Sequence, residues 1–200
     1  MSTIAASPAL PRRELDIGLA LKQAARLFVK DLAPILIAAL IAGALSVLTL
    51  GTLAGPLFAG LYGMVIGRVR DGRQPEVGDV FAGLQRFWSY FAAALVLVLL
   101  IGLASITIVG GFVLATIWLY VLPLMVDRGM GLGEAMKASK DLVVKAGFWE
   151  HLALVIVLFV IASVANGALA IIASPFVIVA VTAAYFLAHG RDEALQRASA

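Results

Sequence analysis

Few side chains in this sequence could do chemistry. There are two histidines and no cysteine, so disulfides, thiolate metal ligands and a cysteine nucleophile are excluded together. The carboxylates Asp127, Glu134, Asp141 and Glu150 each have a basic neighbour and show no metal-ligand spacing. Asp127/Arg128 and Lys140/Asp141 read as ordinary solvated charges. No glycine-rich phosphate loop with its lysine is present, so a nucleotide site has no support. His151 and His189 stand at the edges of apolar stretches, beside Glu150 and Gly190-Arg191. Both are expected at a surface, where titration near neutral pH would be their one chemical option. Asn166 is the only amide inside an apolar stretch, and it is expected to bond across helices rather than hold a polar ligand. The hydroxyls Ser46, Thr49, Ser105, Thr107, Thr116 and Ser163 are expected to bond back to their own helices. Arg68, Arg70, Arg73, Lys137, Lys140 and Lys145 suit anionic lipid headgroups, at about 1 kcal/mol per cation near such a surface. Neither a catalytic residue nor a cofactor or metal ligand is expected.

The elements that carry these groups follow from composition. Hydrophobic residues make up 62% of the chain and charged residues 14%, far from a soluble domain, so the solvent must be lipid. The net charge of +3 lacks the clustered basic face of a nucleic-acid binder. All charges fall in residues 1–31, 68–86, 127–150 and 191–197, leaving charge-free blocks 32–67, 87–126 and 151–190. Each block is about twice the 20 residues that one crossing needs, so each is expected to fold as a hairpin of two spans. Breakers mark the turns: "GTLAGP" at 51–56, "GG" at 110–111 and "ASP" at 173–175. The expected spans are 32–50, 54–69, 88–109, 112–126, 152–172 and 175–189. Three hairpins put every charged segment and both termini on one face. Because Lys and Arg accumulate on the cytoplasmic side, that face is expected to be the cytoplasm. A five-span arrangement would place charged loops outside, against this bias.

The segments before the hairpins align without gaps: "IGLALKQAARL" (17–27), "VGDVFAGLQRF" (77–87) and "LGEAMKASKDL" (132–142). Each has apolar residues at helical spacing, for example Val80, Phe81, Leu84 and Phe87 opposite Asp79 and Arg86, as an amphipathic interfacial helix would. Trp88, Tyr90 and Trp149 stand at the entries to the spans that follow, and Tyr62, Tyr120 and Tyr185 precede the polar exits. The expected fold is therefore all-α: a polytopic bundle of six transmembrane helices in three hairpins, each preceded by a cytoplasmic interfacial helix. Residues 1–13 are expected as a disordered tail without a signal-peptide run. One transmembrane domain spans 14–190, with pseudo-repeats 14–73, 74–129 and 130–190, and 191–200 forms a C-terminal tail. Pro123 is the one proline that interrupts a span interior.

Within the first hairpin, Gly51, Gly55, Ala59, Gly63 and Gly67 form a stripe of small residues at four-residue spacing. Such stripes let helix backbones approach where lipid offers no hydrophobic gain from association. The stripe is expected to build the bundle, with a homodimer seam as the alternative. "GPLFAGLYGMVIGRVRDGRQPEVGDVFAGLQRF", with "LPLMVDRGMGLGEAMKASKDLVVKAGFWEH" downstream, resembles a broad group of bacterial integral membrane proteins of unknown function. These are related to the membrane domain attached to some glycerophosphodiester phosphodiesterases. The resemblance covers roughly residues 15–190, rests on structural glycines, prolines and an Asp-Arg-Gly exit, and implies a bacterial inner-membrane protein. It carries no activity over, because the hydrolase domain of the fused relatives is missing. The expected role is a non-catalytic scaffold or accessory subunit that contacts membrane lipids and a membrane-protein partner or second copy. The alternative is a small transporter or channel for an uncharged or lipid-like solute.

Overall fold

The computed structural model describes residues 15–165 and 168–199, and for 168–170 the backbone alone. Among these residues the chain is all-helical, with no strand. Helix α1 (Ile17–Lys30) begins where the Asp16 carboxylate accepts the Leu19 N–H at 2.8 Å, and it ends on Lys30. After a sharp bend of 91°, α2 (Leu32–Leu48) follows. A tight reversal at 49–53, with Leu50 and Gly51 both at positive φ, returns the chain as α3 (Ala54–Asp71).

The second unit opens with a 3-10 helix (Val77–Arg86) that runs directly into α4 (Phe87–Ala104). Its return is α5 (Ile108–Ile117), then a break, then α6 (Val121–Arg128). In the third unit α7 (Leu132–Lys145) meets α8 (Phe148–Val164) at 107°, and α9 (Ala168–Ala188) returns. A last helix, α10 (Asp192–Ser199), packs back on the bundle through the fully buried Leu195.

The three aligned segments thus each begin a helix at the expected residue, and each is docked on the bundle. The residue at their fourth position, Ala20, Val80 and Ala135, is fully buried in all three. The outward faces differ from expectation in the 3-10 helix: Phe81 and Leu84 are exposed, while Val80 and Gly83 pack inward on α3. The entry tryptophans Trp88 and Trp149 are exposed, and Tyr90 is buried.

Three helical stretches among the described residues, Val77–Ala104, Ile108–Arg128 and Ile171–Ala188, are long and apolar enough to cross a membrane. Counting each bent pair as one span raises this to five. Six crossings are expected from the sequence; α3 falls outside that set because Arg68, Arg70 and Asp71 occupy its last turn.

Two hairpin turns sit earlier than the sequence suggests. The second lies at 105–107, where the Ser105 and Thr107 hydroxyls bond back to the Ile101 and Ala104 carbonyls. Gly110 and Gly111 are instead the first turn of α5; a Cβ on either would fall on those turn residues. Helix α9 already begins at Ala168, so Pro175 lies inside it rather than at its start. A proline there removes one backbone bond, which membrane helices tolerate when neighbours re-satisfy the freed carbonyl. The terminal stretch expected as a tail is helical over Asp192–Ser199, while residues 1–13 and Asn166 lie outside the described residues.

Helix α3 is the axis of the packing. Gly55 lies against the Tyr90 backbone, Gly60 against the Val80 backbone, and Gly83 against the Pro56 carbonyl, each with no room for a Cβ. Close backbone approach of this kind is how helices associate where burial brings no hydrophobic gain. Of the small-residue stripe, Gly55 and Ala59 carry this contact. Gly63 meets Val126 at ordinary van der Waals distance and Gly67 faces the Arg73 guanidinium. Gly51 serves the turn, at φ +84° with open space around it.

Candidate functional site

The returning helices α3, α6 and α9 end alike, on glycines in the left-handed region: Gly72 at φ +69°, Gly129 at +67° and Gly190 at +68°. Such a residue stops a helix cleanly because it has no Cβ to clash. These stops bring together the polar exits of the three units.

At the centre is Asp127, whose side chain is only 3% exposed. Its Oδ2 accepts the Tyr185 hydroxyl at 2.8 Å, and its Oδ1 accepts Arg70 Nη1 at 3.0 Å. Arg191 Nη1 pairs with it at 3.6 Å. Arg70 is shared with the neighbouring Asp71. A second pair, Arg68 to Asp31 at 2.7 Å, ties the end of α3 to the start of α2, with both side chains nearly buried. Arg73 meets Asp79 of the 3-10 helix at 2.9 Å. Asp127, expected as a solvated charge, is therefore the hub of a shielded network. The position shared by the exits was visible in the sequence; the burial that turns one of them into a hub was not.

A line of rings leads inward from that hub. Tyr185 lies 5.8 Å from Tyr120 between ring centroids, and Tyr120 meets the His151 ring edge-on at 5.5 Å. Tyr120 and His151 are fully buried, which corrects the expectation of a surface position for His151. The His151 ring packs against Tyr120, while Trp149 two residues earlier faces outward. His151 Nδ1 contacts the Gly147 carbonyl, so that nitrogen carries the proton and Nε2 is a bare acceptor. Neither Nε2 nor the Tyr120 hydroxyl has a hydrogen-bond partner among the described residues.

His189, the first residue beyond α9, is half-buried and its ring lies tilted against Tyr185, with centroids 4.4 Å apart. Burial pushes its pKa down, as do Arg128 and Arg191, against the opposing pull of the Tyr185 carbonyl and Asp127.

Tyr120 stands at the break between α5 and α6. Pro123 causes the break: it has no N–H for the Leu119 carbonyl, and its ring crowds that carbonyl. The break also leaves the Tyr120 N–H and the Ile117 carbonyl to be served from outside the helix, and the fully buried Ser139 of α7 serves both. Its Oγ accepts the Tyr120 N–H at 3.1 Å and donates to the Ile117 carbonyl at 2.7 Å. Sequence reasoning flagged Pro123 and missed Ser139, which was visible only as one position of the third amphipathic segment.

The lysines proposed for lipid, Lys137, Lys140 and Lys145, are all exposed on α7. The arginines Arg68, Arg70 and Arg73 each pair with a carboxylate of the fold. Of the hydroxyls, Thr49 and Thr116 bond back to Leu45 and Phe112 as expected, whereas the Ser46 oxygen is shielded and has no partner among the described residues. Among the described residues no three His, Asp or Glu side chains converge to hold a metal ion. The arrangement is that of an ion-pair lock between helix ends, backed by a buried tyrosine–histidine contact. No family model, curated protein or solved structure matches the chain.

Proposed function

We propose that the chain is a multi-pass membrane protein of three repeated hairpins, six spans in all, acting as a non-catalytic scaffold or accessory subunit. One observation carries this reading. The ion pairs Arg68–Asp31, Arg70–Asp127 and Arg191–Asp127 join the start of α2 to the ends of α3, α6 and α9. Charged ends gathered at one place suit hairpins that all return to one leaflet. The outward surfaces of α2, α4 and α8 meanwhile present Val47, Leu48, Val98, Leu99, Phe159 and Val164, as lipid-facing helices do. The shared glycine stops and the buried fourth position of each amphipathic helix support the repeat. We read the charged face as cytoplasmic from its lysines and arginines, and a bacterial inner membrane is the setting that the resemblance implies.

The absence of cysteine makes the test direct. Single cysteines at Arg73, Lys137, Leu50 and Ile106 are labelled with a membrane-impermeant maleimide on intact cells. Arg73 and Lys137 are expected to react only after permeabilisation, and the turn positions from outside. Arg73 and Lys137 on opposite sides would overturn the arrangement. The scaffold role expects a membrane protein to co-purify under gentle solubilisation; repeated isolation alone would overturn it. A second reading, passage of a small uncharged solute, is favoured by the broken helix and the unpartnered Tyr120 hydroxyl and His151 Nε2. It expects proteoliposomes to swell faster with a small polyol than protein-free vesicles do.

A further inference from the structure

We propose that α10 forms the wall of a binding site for the phosphate of an anionic phospholipid; the proposal rests on the membrane reading above and names a ligand for it. Helix α10 is fastened at this place by the buried Leu195 and by the Ser199 hydroxyl, which donates to the Gln23 side chain of α1. On one side of α10 a cleft of about 230 Å³ opens against the end of α3, with Arg68, Arg70, Asp71 and Arg197 in its walls. On the other side a groove of about 730 Å³ runs along α1, lined by Arg26, Val29, Lys30 and Ser199. The adjacent residues Ala198 and Ser199 line one each, so the two depressions flank the same turn of α10.

Two cations of the cleft, Arg68 and Arg70, are held by carboxylates rather than loose. Arg68 is aimed by Asp31 at 2.7 Å and by the Gly72 carbonyl at 3.2 Å, and its side chain is 13% exposed. Arg70 is aimed by Asp71 and Asp127, which leaves the one carboxylate of the wall already engaged. Guanidinium groups held in place lose little freedom on meeting an anion, and their planar fork matches phosphate oxygens. Arg197 is exposed and bonds only the Glu193 carbonyl among the described residues. Asp192 and Glu193 border an adjoining depression beside Arg191, which Ala194 and Arg197 also line. The groove argues for a lipid over a free anion. Val29 is 71% exposed between Arg26 and Lys30, so one molecule with an anionic head and an apolar tail would satisfy both. Inorganic phosphate would use the cations alone.

The test uses the full chain in a neutral detergent, with thermal unfolding read against added short-chain phosphatidylglycerol, phosphatidylcholine of the same chain length, or inorganic phosphate. Phosphatidylglycerol is expected to raise the unfolding temperature at the lowest concentration. The variant Arg26→Gln/Lys30→Gln/Arg197→Gln removes three exposed cations that make no ion pair among the described residues. It should weaken that response on the order of a hundredfold, at roughly fivefold per cation. Val29→Ser should weaken the lipid response and leave any phosphate response unchanged. The proposal fails if phosphatidylcholine stabilises equally, if phosphate alone matches the lipid, or if the triple variant responds like the parent. Cysteine labelling of the triple variant reports topology separately, so failure here is distinguishable from failure of the membrane reading.

Discussion

Replacing Ser139 by alanine tests the repair of the α5–α6 break. One hydroxyl there serves two buried backbone groups, the Tyr120 N–H and the Ile117 carbonyl. Removing it orphans both, at about 1–3 kcal/mol for each unsatisfied buried group, so the expected loss is about 2–6 kcal/mol. The controls are hydroxyls of the same kind with no such duty. Thr182 and Thr116 donate to the Ile178 and Phe112 carbonyls of their own helices, at 2.9 and 2.7 Å. Those carbonyls belong to regular helix and keep a backbone partner, so Thr182→Val and Thr116→Val should cost less than about 1 kcal/mol. Pro123→Ala restores an N–H that can reach the Leu119 carbonyl. In the Ser139→Ala background it should recover part of the loss by letting the helix close. Denaturant unfolding of the solubilised protein, followed by circular dichroism, measures all four. A Ser139→Ala loss within about 0.5 kcal/mol of the threonine variants would show that water or a shifted backbone serves the break, and the argument would fall.

Gly60→Ala and Gly83→Ala drive a Cβ into the Val80 and Pro56 carbonyls, which are backbone and cannot yield. Each is expected to exceed about 4 kcal/mol, the range of exceptional losses, and to abolish accumulation of folded protein on size-exclusion chromatography. Gly43→Ala, which meets nothing within 4 Å in α2, should instead stabilise by roughly 0.5–1 kcal/mol. For His189 the folded pKa lies below the ordinary 6.5 because burial disfavours the imidazolium. The unfolded chain therefore takes up the proton first, and stability is kept above that ordinary value and lost as pH falls below it toward the folded pKa. His189→Gln should lose less stability than the parent between about pH 8 and pH 5, as thermal unfolding would show; parallel curves would refute this.

Much of the scaffold was legible because it rests on local signals. Asp16, Glu76 and Gly131 precede the amphipathic helices as caps, and Gly72, Gly129 and Gly190 stop the returning ones. Both kinds of signal act within one turn of their own residue. Turn positions were less legible, since Gly110–Gly111 and Pro175 act on packing and helix shape rather than on reversal. The candidate site was least legible because it is made by contacts between distant segments. Asp127 next to Arg128 looks solvated in one dimension and is buried by α3 and α9 in three. The tightest helix contact uses Gly60 and Gly83, each within a copy of Phe-Ala-Gly-Leu, and not the four-residue stripe alone.

The Asp127 network also answers how helix ends find one register in a lipid solvent. Apolar faces cannot choose among partners there, because lipid tails satisfy them equally well. A carboxylate at 3% exposure cannot be left alone, since an unpaired buried charge costs several kcal/mol. Yet Arg70 and Arg191 are 47% and 39% exposed, so the pairs are screened and add little net stability of their own. Their contribution is to exclude wrong arrangements. Any slip of α3, α6 or α9 along its axis would separate Arg70, Asp127 and Tyr185 and strand the carboxylate. One turn of sliding, about 5.4 Å, is already too far for a 2.8 Å hydrogen bond from Tyr185. The same ion lock that does little for overall stability thereby holds the α3 end, and the arginine cleft beside α10, in one fixed place.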